Sequence, residues 1–304
     1  MTAIGRITSY LHERWISVCA IAVFLLAWEI AGHLSPTSVL RQSPIVPPWE
    51  FVFGPAFLGM SDYWIFDVLA PVPSVGGEQT YLGAVLAIGY HSALTLSRLL
   101  MGLVFGTVIG ILLGLAFSWS SFLRRLASTP LHILRMFPLL AMVPLFQFWF
   151  GANTTGAVVF VAYGVGVVYF ATTINAVSNI PNRYIEYAQT LGASRLRIYV
   201  SVVFPAIVPE LCASVMLTLG LAWSTVIGAE YIGLESGMGR IIIFAQYFSN
   251  TGRMTLATLI IILYAGLSFM LFRRIAARIL RWMPTAAFAE DSQRASSVVA
   301  PAVK

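Results

Sequence analysis

The residues that could carry nucleotide or metal chemistry in this sequence are few. Of 304 residues 18 are basic, and all of these are arginines except Lys304. A P-loop holds phosphates with a Gly-Lys-Ser/Thr motif, and the chain has no internal lysine to supply it. The histidines and cysteines are far apart along the chain: His12, His33, His91, His132, Cys19 and Cys212. A metal site needs clustered ligands, so we expect no metal and no bound cofactor.

Enzymatic function is also disfavoured by the motifs that are missing. Intramembrane proteolysis of the rhomboid type would need a Gly-x-Ser-x-Gly motif together with a membrane histidine, and the sequence does not contain it. Dispersed arginines beside apolar runs do not form the basic patch typical of nucleic-acid binding. We therefore expect neither a catalytic site nor a nucleic-acid partner.

Composition identifies the elements that must position the remaining polar residues. Hydrophobic residues make up 59% of the chain and charged residues 10%, against about 25% charged in soluble domains. A membrane-spanning helix needs about 20 predominantly apolar residues. The sequence therefore predicts an all-α integral membrane protein with about six transmembrane helices, at residues 16–34, 96–118, 131–150, 155–177, 205–228 and 254–273.

Positive charge predicts the orientation of these helices, because basic residues concentrate in cytoplasmic loops. With the N-terminus inside, the inner set is Arg6, Arg14, Arg124, Arg125, Arg183, Arg195, Arg197, Arg273, Arg274, Arg278, Arg281, Arg294 and Lys304, and the outer set is Arg41, Arg240 and Arg253. We therefore expect both termini in the cytoplasm. The first segment has an alternative interpretation as a cleaved signal peptide, but no small-x-small cleavage site follows it.

The second predicted helix carries four glycines at four-residue spacing: Gly102, Gly106, Gly110 and Gly114. They fall on one helix face, where missing side chains let another helix approach closely. We expect this face to pack within the chain, with a homodimer seam as the alternative. Arg98, one turn earlier, is expected near the outer interface or against a carbonyl-lined interior, because a charge at mid-membrane is costly.

A substrate route would use polar groups within the spans. Prolines 138 and 144 are expected to bend the third helix, and broken helices line the route in many transporters. The candidate route residues are Gln147, Asn175, Trp223, Ser224 and Thr225. Each could instead make a hydrogen bond between helices. Glu230 and Glu235 are expected just outside the fifth helix, as contacts for a binding protein or as a solvated loop.

The loop between the fourth and fifth helices, "IPNRYIEYAQTLGASRLRIYVSVVFP", is charged and amphipathic. It predicts a short helix after Asn182, a break at Gly192, a second helix from Ser194 and membrane entry at Pro205. Tyr184, Ala188 and Leu191 share one face at helical spacing. Since the orientation places this face in the cytoplasm, it predicts a protein partner; an interfacial helix on lipid headgroups is the alternative.

This loop resembles the "EAA" loop of ABC importer permeases. Glu186 matches the first position, Gly192 the seventh and Pro205 the twentieth, whereas Tyr187 replaces the alanine of the second position. The segments "HSALTLSRLLMGLVFGTVIGILLGL" and "AWSTVIGAEYIGLESGMGRII" resemble the nitrate/sulfonate/taurine-type branch of the family. The resemblance covers about residues 90 to 275.

The resemblance implies a type I ABC importer permease fold and a transport function. Such permeases work in pairs, here expected to be a homodimer, with two cytoplasmic ATPase subunits that use ATP and Mg and a periplasmic or lipid-anchored binding protein. The residues expected to couple to the ATPase are Tyr184, Glu186, Ala188, Leu191, Gly192 and Ala193. The expected substrate is a small anionic or zwitterionic solute such as taurine, an alkanesulfonate or nitrate, and the expected location is the bacterial inner membrane.

The chain is accordingly expected to have three parts. Residues 1–90 would form a transmembrane helix and an outer or interfacial segment, residues 91–280 a permease core with the coupling loop at 181–204, and residues 281–304 a flexible cytoplasmic tail. The alternative function is an ion-coupled secondary transporter, which would need several ionisable residues inside the spans.

Overall fold

The computed structural model describes residues 3–36 and 43–282. Within these ranges the chain is helical and has no β-strand, which confirms the expected all-α fold. Arg41, Arg294, Lys304 and most of the expected tail at 281–304 lie outside the described residues. The expected division at residues 90 and 280 stays a prediction.

Eleven α-helices are described, joined in places by short 3₁₀ or π turns. They are α1 (Ala3–Leu34), α2 (Trp49–Phe51), α3 (Tyr81–Ser118), α4 (Ser121–Met136), α5 (Leu139–Phe150), α6 (Thr154–Ser178), α7 (Asn182–Thr190), α8 (Arg195–Ile198), α9 (Phe204–Gly233), α10 (Met238–Tyr247) and α11 (Thr251–Ile279). The short turns are Val52–Ala56, Gly59–Tyr63, Pro73–Val75 and Tyr199–Val203.

Among the described residues, four helices are long and apolar enough to cross a membrane: α3, α6, α11 and the continuous run Arg195–Gly233 that ends as α9. They match the spans predicted at 96–118, 155–177, 254–273 and 205–228. The bent pair of α4 and α5 would make a fifth. In α1 the apolar part that the structure describes, Val18–Leu34, is shorter than these helices. The expected count of six is therefore reached only if α1 and the pair of α4 and α5 are each counted as one span.

The helix predicted over residues 131–150 is interrupted at Pro138, one of the two prolines expected to bend it. α4 ends at Met136, Phe137 has extended backbone angles (φ −65°, ψ 125°), and α5 begins at Leu139. The cause is Pro138, since a proline ring disfavours helical angles in the residue before it. Pro144, by contrast, lies inside α5 without ending it.

Helix α3 begins fifteen residues earlier than predicted, at Tyr81 rather than at residue 96. The apolar run 81–90 is therefore the start of this helix. A 38-residue helix is about 57 Å long, whereas the hydrocarbon core is about 30 Å thick. The first turns of α3 therefore extend beyond the membrane on the side that the topology assigns to the exterior.

The chain divides into two compact units, of which the first comprises Met1–Leu100, Leu140–Phe160 and Thr225–Leu263. Its core joins the outer segment to the start of α3, to α10 and to α11, through the buried residues Val52, Met60, Ala84, Met238, Ile241, Leu256 and Ala257. Asp62 and Arg253 add an ion pair of 2.6 Å. The proline-rich outer segment is thus packed onto α10 and α11 rather than free.

The second unit comprises Met101–Leu139, Val161–Ser224 and Tyr264–Lys304. One of its core clusters joins Leu131 of α4 to Ala171 and Ile174 of α6. The glycine face of α3 packs against the same helix. A Cβ atom on Gly106 would lie 2.6 Å from the Ala162 carbonyl oxygen, one on Gly110 2.6 Å from the Gly166 carbonyl oxygen, and one on Gly114 2.4 Å from Thr173 Cβ.

This close approach places Gly106, Gly110 and Gly114 at a contact within the chain, as the preferred interpretation of the glycine pattern expects. Gly102 is buried as well. Because the contacts are with backbone carbonyls and Cβ atoms, the two helices cannot keep their separation if a side chain is added.

We therefore expect Gly110→Ala to destabilise the protein by about 1–3 kcal/mol, the usual cost of overpacking. Gly89→Ala, on the same helix, is the matched control because its Cβ would meet nothing within 4 Å. The measurement is the melting temperature of the purified chain in detergent. Melting of Gly110→Ala at or above the wild-type temperature would contradict the proposed packing.

Candidate functional site

The loop between α6 and α9 has the helix, break and helix that its sequence predicts. α7 covers Asn182–Thr190 after an extended Pro181, and α8 begins at Arg195 with the Ser194 hydroxyl as its cap, accepting a bond from the Arg197 amide. A π turn at Tyr199–Val203 continues directly into α9. Pro205 therefore lies just after the π turn, inside the continuous helical run Arg195–Gly233.

Gly192 ends α7 through a Schellman motif. Its φ angle is +75°, its amide donates to the Gln189 carbonyl at 2.9 Å, and the Ala193 amide donates to the Ala188 carbonyl at 3.0 Å. This pair of bonds satisfies carbonyls that the helix end would leave unpaired. A Cβ atom on Gly192 would meet nothing within 4 Å, so the position requires glycine for its backbone angle and not for space.

The outward face of α7 is apolar and exposed. Tyr184, Tyr187, Ala188 and Leu191 follow the i, i+3, i+4, i+7 spacing of one helix face, and Leu191 is 87% exposed. Tyr187, which the family pattern treats as a departure, is 67% exposed and so enlarges this face. Ala188 is half-buried, and Glu186 is exposed but lies two residues from both Tyr184 and Ala188 and so off this face. We call Tyr184, Tyr187, Ala188 and Leu191 the docking face.

The opposite side of α7 faces the protein. Ile185 and Gln189, with Ala193 after the break, line a cavity of about 470 Å³ in the second unit. An amphipathic helix with one face toward its own chain and an exposed apolar face opposite fits the groove of a partner protein. The structure thus brings the six predicted coupling residues into one short segment, with Ala188 and Leu191 on the docking face and Gly192 and Ala193 in the turn.

The first unit contains a buried ion pair that the sequence did not reveal. Arg98 of α3 is 2% exposed and Glu230 of α9 0% exposed, and the Arg98 Nη1 donates to Glu230 Oε1 at 2.8 Å. The remaining donors of Arg98 reach the Ser236 carbonyl at 2.7 Å, the Ser236 hydroxyl at 2.8 Å and the Thr154 hydroxyl at 3.2 Å. The guanidinium is therefore fully bonded without water.

Glu230 is equally well satisfied. Its Oε2 accepts from the Gly239 amide at 3.0 Å, and the Thr95 hydroxyl donates to the carboxylate at 2.9 Å. The expectation that Glu230 lies in a solvated loop or contacts a binding protein is wrong, since α9 continues to Gly233. Gly237 and Gly239 leave room for this side chain, because Cβ atoms there would collide with it.

His91 and Thr95 connect this pair to the start of α10. The Met238 amide donates to the Thr95 hydroxyl and the Gly237 amide to His91 Nδ1, both at 2.9 Å. Because Nδ1 accepts, the hydrogen of a neutral ring is on Nε2, which lies 3.1 Å from the Tyr63 carbonyl oxygen. Arg98 and Glu230 therefore lie where five parts of the chain meet: α3, α6, α9, the outer segment and the turn before α10.

The five candidate route residues fall into two groups by exposure. Asn175 and Ser224 are exposed, whereas Trp223 and Thr225 are buried and Gln147 is half-buried. Gln147 donates to the Ala229 carbonyl at 3.1 Å, Trp223 to the Ser268 hydroxyl at 3.0 Å and Ser224 to the Gly220 carbonyl at 3.0 Å. The helix-bonding alternative therefore describes Gln147 and Trp223 well, and a role in the route stays a prediction.

Comparison with known proteins gives a family. Residues 106–283 match the protein family described as "Binding-protein-dependent transport system inner membrane component". The taurine transport system permease protein TauC of Escherichia coli (strain K12) is 26% identical over 88% of this chain and 89% of its own length. The putative aliphatic sulfonates transport permease proteins SsuC of Bacillus subtilis (strain 168) and E. coli (strain K12) are 27% and 30% identical, over 80% and 81% of this chain and 86% and 94% of their own lengths.

Solved structures share the fold. An inward-facing MetNI methionine ABC transporter has a TM-score of 0.54 at 23% identity, covering 61% of this chain and 93% of its own. A bacterial ABC transporter involved in the import of the acidic polysaccharide alginate has a TM-score of 0.50 at 14% identity, covering 90% and 99%. The type I ABC importer permease fold expected from the EAA resemblance is confirmed.

The chain belongs to the family of binding-protein-dependent transport system inner membrane components. It is a multi-pass membrane protein of the branch that includes sulfonate and taurine ABC permeases, as its loop and helix motifs predicted. Its similarity to TauC and the two SsuC proteins covers most of each chain. In the described residues no three His, Cys, Asp or Glu side chains are placed to hold a metal ion.

The buried pair leads to a stability prediction. Arg98→Met leaves the Glu230 carboxylate buried without its main partner, a change that costs about 3–5 kcal/mol in buried pairs. The double variant Arg98→Met with Glu230→Met removes both charges and should recover a large part of that loss. The measurement is thermal unfolding in detergent of the two single variants and the double variant.

Asp62→Asn with Arg253→Gln is the matched control, because that pair is partly exposed and should show a much smaller coupling energy. Additive losses for Arg98→Met and Glu230→Met would contradict the pairing.

Proposed function

We propose that this chain is the membrane-spanning subunit of an ATP-driven importer and that it couples to a separate ATPase through α7. The observation that carries the proposal is the docking face, an exposed apolar surface on α7. A Schellman turn and the capped helix α8 connect α7 to α9. The membership of this chain in the family of binding-protein-dependent transport system inner membrane components supports the same conclusion.

The docking face would enter a groove of the ATPase. Tyr184, Tyr187 and Leu191 supply apolar and aromatic area, as in other helix-in-groove complexes. Exposed Glu186 would supply an electrostatic contact from another side of α7. ATP and Mg would be bound by the partner and not by this chain, which has no internal lysine for a P-loop. Two ATPase subunits and two copies of the permease would make the working assembly.

Movement at α7 would reach the membrane through continuous backbone. α8, the π turn and α9 form one helical run from Arg195 to Gly233, and the bonds at Gly192 and Ala193 limit bending where α7 joins it. Closure of the ATPase would therefore displace α9, and the transporter would alternate between outward and inward access.

The substrate we propose is a small sulfonate-type anion, delivered by a periplasmic or lipid-anchored binding protein across a bacterial inner membrane. The relatives TauC and SsuC support this choice, since they are described as permeases for taurine and aliphatic sulfonates. Asn175 and Ser224 are the route residues that the structure favours, because they are exposed polar side chains on apolar spans. Gln147, Trp223 and Thr225 would support the route from buried or half-buried positions.

An ion-coupled mechanism receives less support from the buried charges. Arg98 and Glu230 lie within helices, as that mechanism would require, but each is bonded to the other and to fixed neighbours. A carboxylate that must bind and release a cation would need a free or changing partner.

We expect Gly192→Arg to uncouple ATP hydrolysis from transport. A left-handed angle costs a side chain about 1–2 kcal/mol, and the new cation would project beside the docking face. Uptake should fall about tenfold or more, the effect of about 1.4 kcal/mol at the docking contact, while the variant still inserts and folds. The measurement is taurine or alkanesulfonate uptake into proteoliposomes that contain the permease, its ATPase and its binding protein.

Gly192→Asn is the matched control, because asparagine tolerates the left-handed region, and it should retain most of the uptake. Normal uptake by Gly192→Arg would show that α7 is not the coupling element. Uptake driven by a proton or sodium gradient without hydrolysable ATP would contradict the proposed function as a whole.

A further inference from the structure

The cavity behind α7 has features that docking does not explain. It has a volume of about 470 Å³ and is lined by α7, α8 and the π turn before α9, together with the ends of α3, α4 and α6 that are predicted to be cytoplasmic. Its polar lining residues are Ser118, Arg124, Ser178, Asn182, Gln189 and Arg195. No carboxylate lines it, so its polar groups are cationic or neutral.

Two arginines give the cavity a positive charge. Arg124 Nη1 donates to the Ser178 hydroxyl at 3.2 Å, and Arg195 lies 4.8 Å over the Trp119 ring and donates to the Trp119 carbonyl. Over the residues that the structure describes, the ion pairs involve other side chains. Two guanidinium groups with only neutral partners suit a phosphate group, which they can bind with several charge-assisted hydrogen bonds.

Ser118 is an independent indication of a ligand. It is 5% exposed, it lines the cavity, and its hydroxyl has no hydrogen-bond partner within the described part of the chain. A buried hydroxyl without a partner carries an unfavourable desolvation cost. A phosphate oxygen in the cavity would accept this bond and remove the cost.

An apolar groove of about 270 Å³ adjoins the cavity. It is lined by Leu115, Ala116, Trp119, Leu196, Tyr199, Val200 and Phe204, so Trp119 and Tyr199 belong to both sites. Their rings are 4.6 Å apart and form the shared wall. Leu196 is 65% exposed, which leaves the apolar groove open on the surface of the protein.

We propose that the cavity and the groove together bind one anionic phospholipid, with its phosphate between Arg124 and Arg195 and an acyl chain along Leu196 and Val200. Basic pockets between transmembrane helices at the cytoplasmic side are typical sites for anionic headgroups. The groove decides between a lipid and a soluble phosphate, because only a lipid has an apolar chain to place in it.

The site would also stabilise the coupling loop. Ile185, Gln189 and Ala193 of the α7 segment form part of the cavity wall, on the side opposite the docking face. A bound headgroup would fill the space behind α7 and hold this helix in place, so the position of the docking face would depend on the lipid composition of the membrane.

The test measures lipid binding by the full chain in phosphatidylcholine nanodiscs that contain a small fraction of phosphatidylglycerol. Native mass spectrometry gives the phosphatidylglycerol retained per protein after release from the nanodisc. We expect wild-type enrichment to fall about tenfold in Arg124→Gln with Arg195→Gln, since this variant removes both guanidinium groups that would form charge-assisted hydrogen bonds with the phosphate. Ser118→Ala should give a smaller loss.

The matched control is Arg183→Gln with Arg197→Gln, which removes two charges from α7 and α8 outside the cavity lining and should keep the enrichment. Leu196→Asp tests the groove at an exposed position that the fold tolerates, and it should reduce retention of phosphatidylglycerol. Equal enrichment in the wild type and the Arg124/Arg195 variant would overturn the proposal.

A second arm offers inorganic phosphate to the chain in pure phosphatidylcholine nanodiscs. Phosphate binding that depends on Arg124 and Arg195, with no enrichment of phosphatidylglycerol and no effect of Leu196→Asp, would overturn the lipid assignment in favour of a soluble anion. Weak phosphate binding beside strong phosphatidylglycerol retention supports the lipid.

Discussion

A charge that is buried in a membrane helix has to be neutralised where it lies, because no water is available to solvate it. Arg98 meets this constraint with Glu230, Ser236 and Thr154, and the partners come from three separate parts of the chain. The ion pair therefore determines which helices meet in the first unit and holds the turn that precedes α10. Removing either charge would leave the other without its main partner.

The coupling loop depends on a constraint of a different kind, the need to end one helix and start another within a few residues. Gly192 ends α7 with a left-handed angle and Ser194 caps α8. This turn presents one side of α7 outward as the docking face and directs the other side toward Arg124 and Arg195. The same short helix thus separates a proposed protein contact from a proposed lipid site.

Local signals made much of this structure predictable. The length of the apolar runs predicted α6 and α9, and the positions of Asn182 and Gly192 predicted where α7 begins and ends. These predictions succeed because each signal depends only on residues that are close together in the sequence. The break at Phe137 follows from Pro138 in the same way, since a proline disfavours helical angles in the residue before it. The burial of Glu230 could not be predicted from the local sequence, since its partner Arg98 is 132 residues away. Tyr187 departs from the alanine of the EAA pattern, and that pattern of small residues does not predict the exposed apolar area that Tyr187 adds.

The central claim is that α7 docks into an ATPase through its exposed face, and site-directed crosslinking tests it most directly. In a background with Cys19 and Cys212 replaced, cysteine is introduced in turn by Leu191→Cys on the docking face and Ile185→Cys on the cavity side. We expect a short bifunctional reagent to join the Leu191→Cys variant to the ATPase subunit in the assembled transporter and to leave Ile185→Cys unlinked. Crosslinking at Ile185→Cys but not at Leu191→Cys, or at neither, would contradict the account.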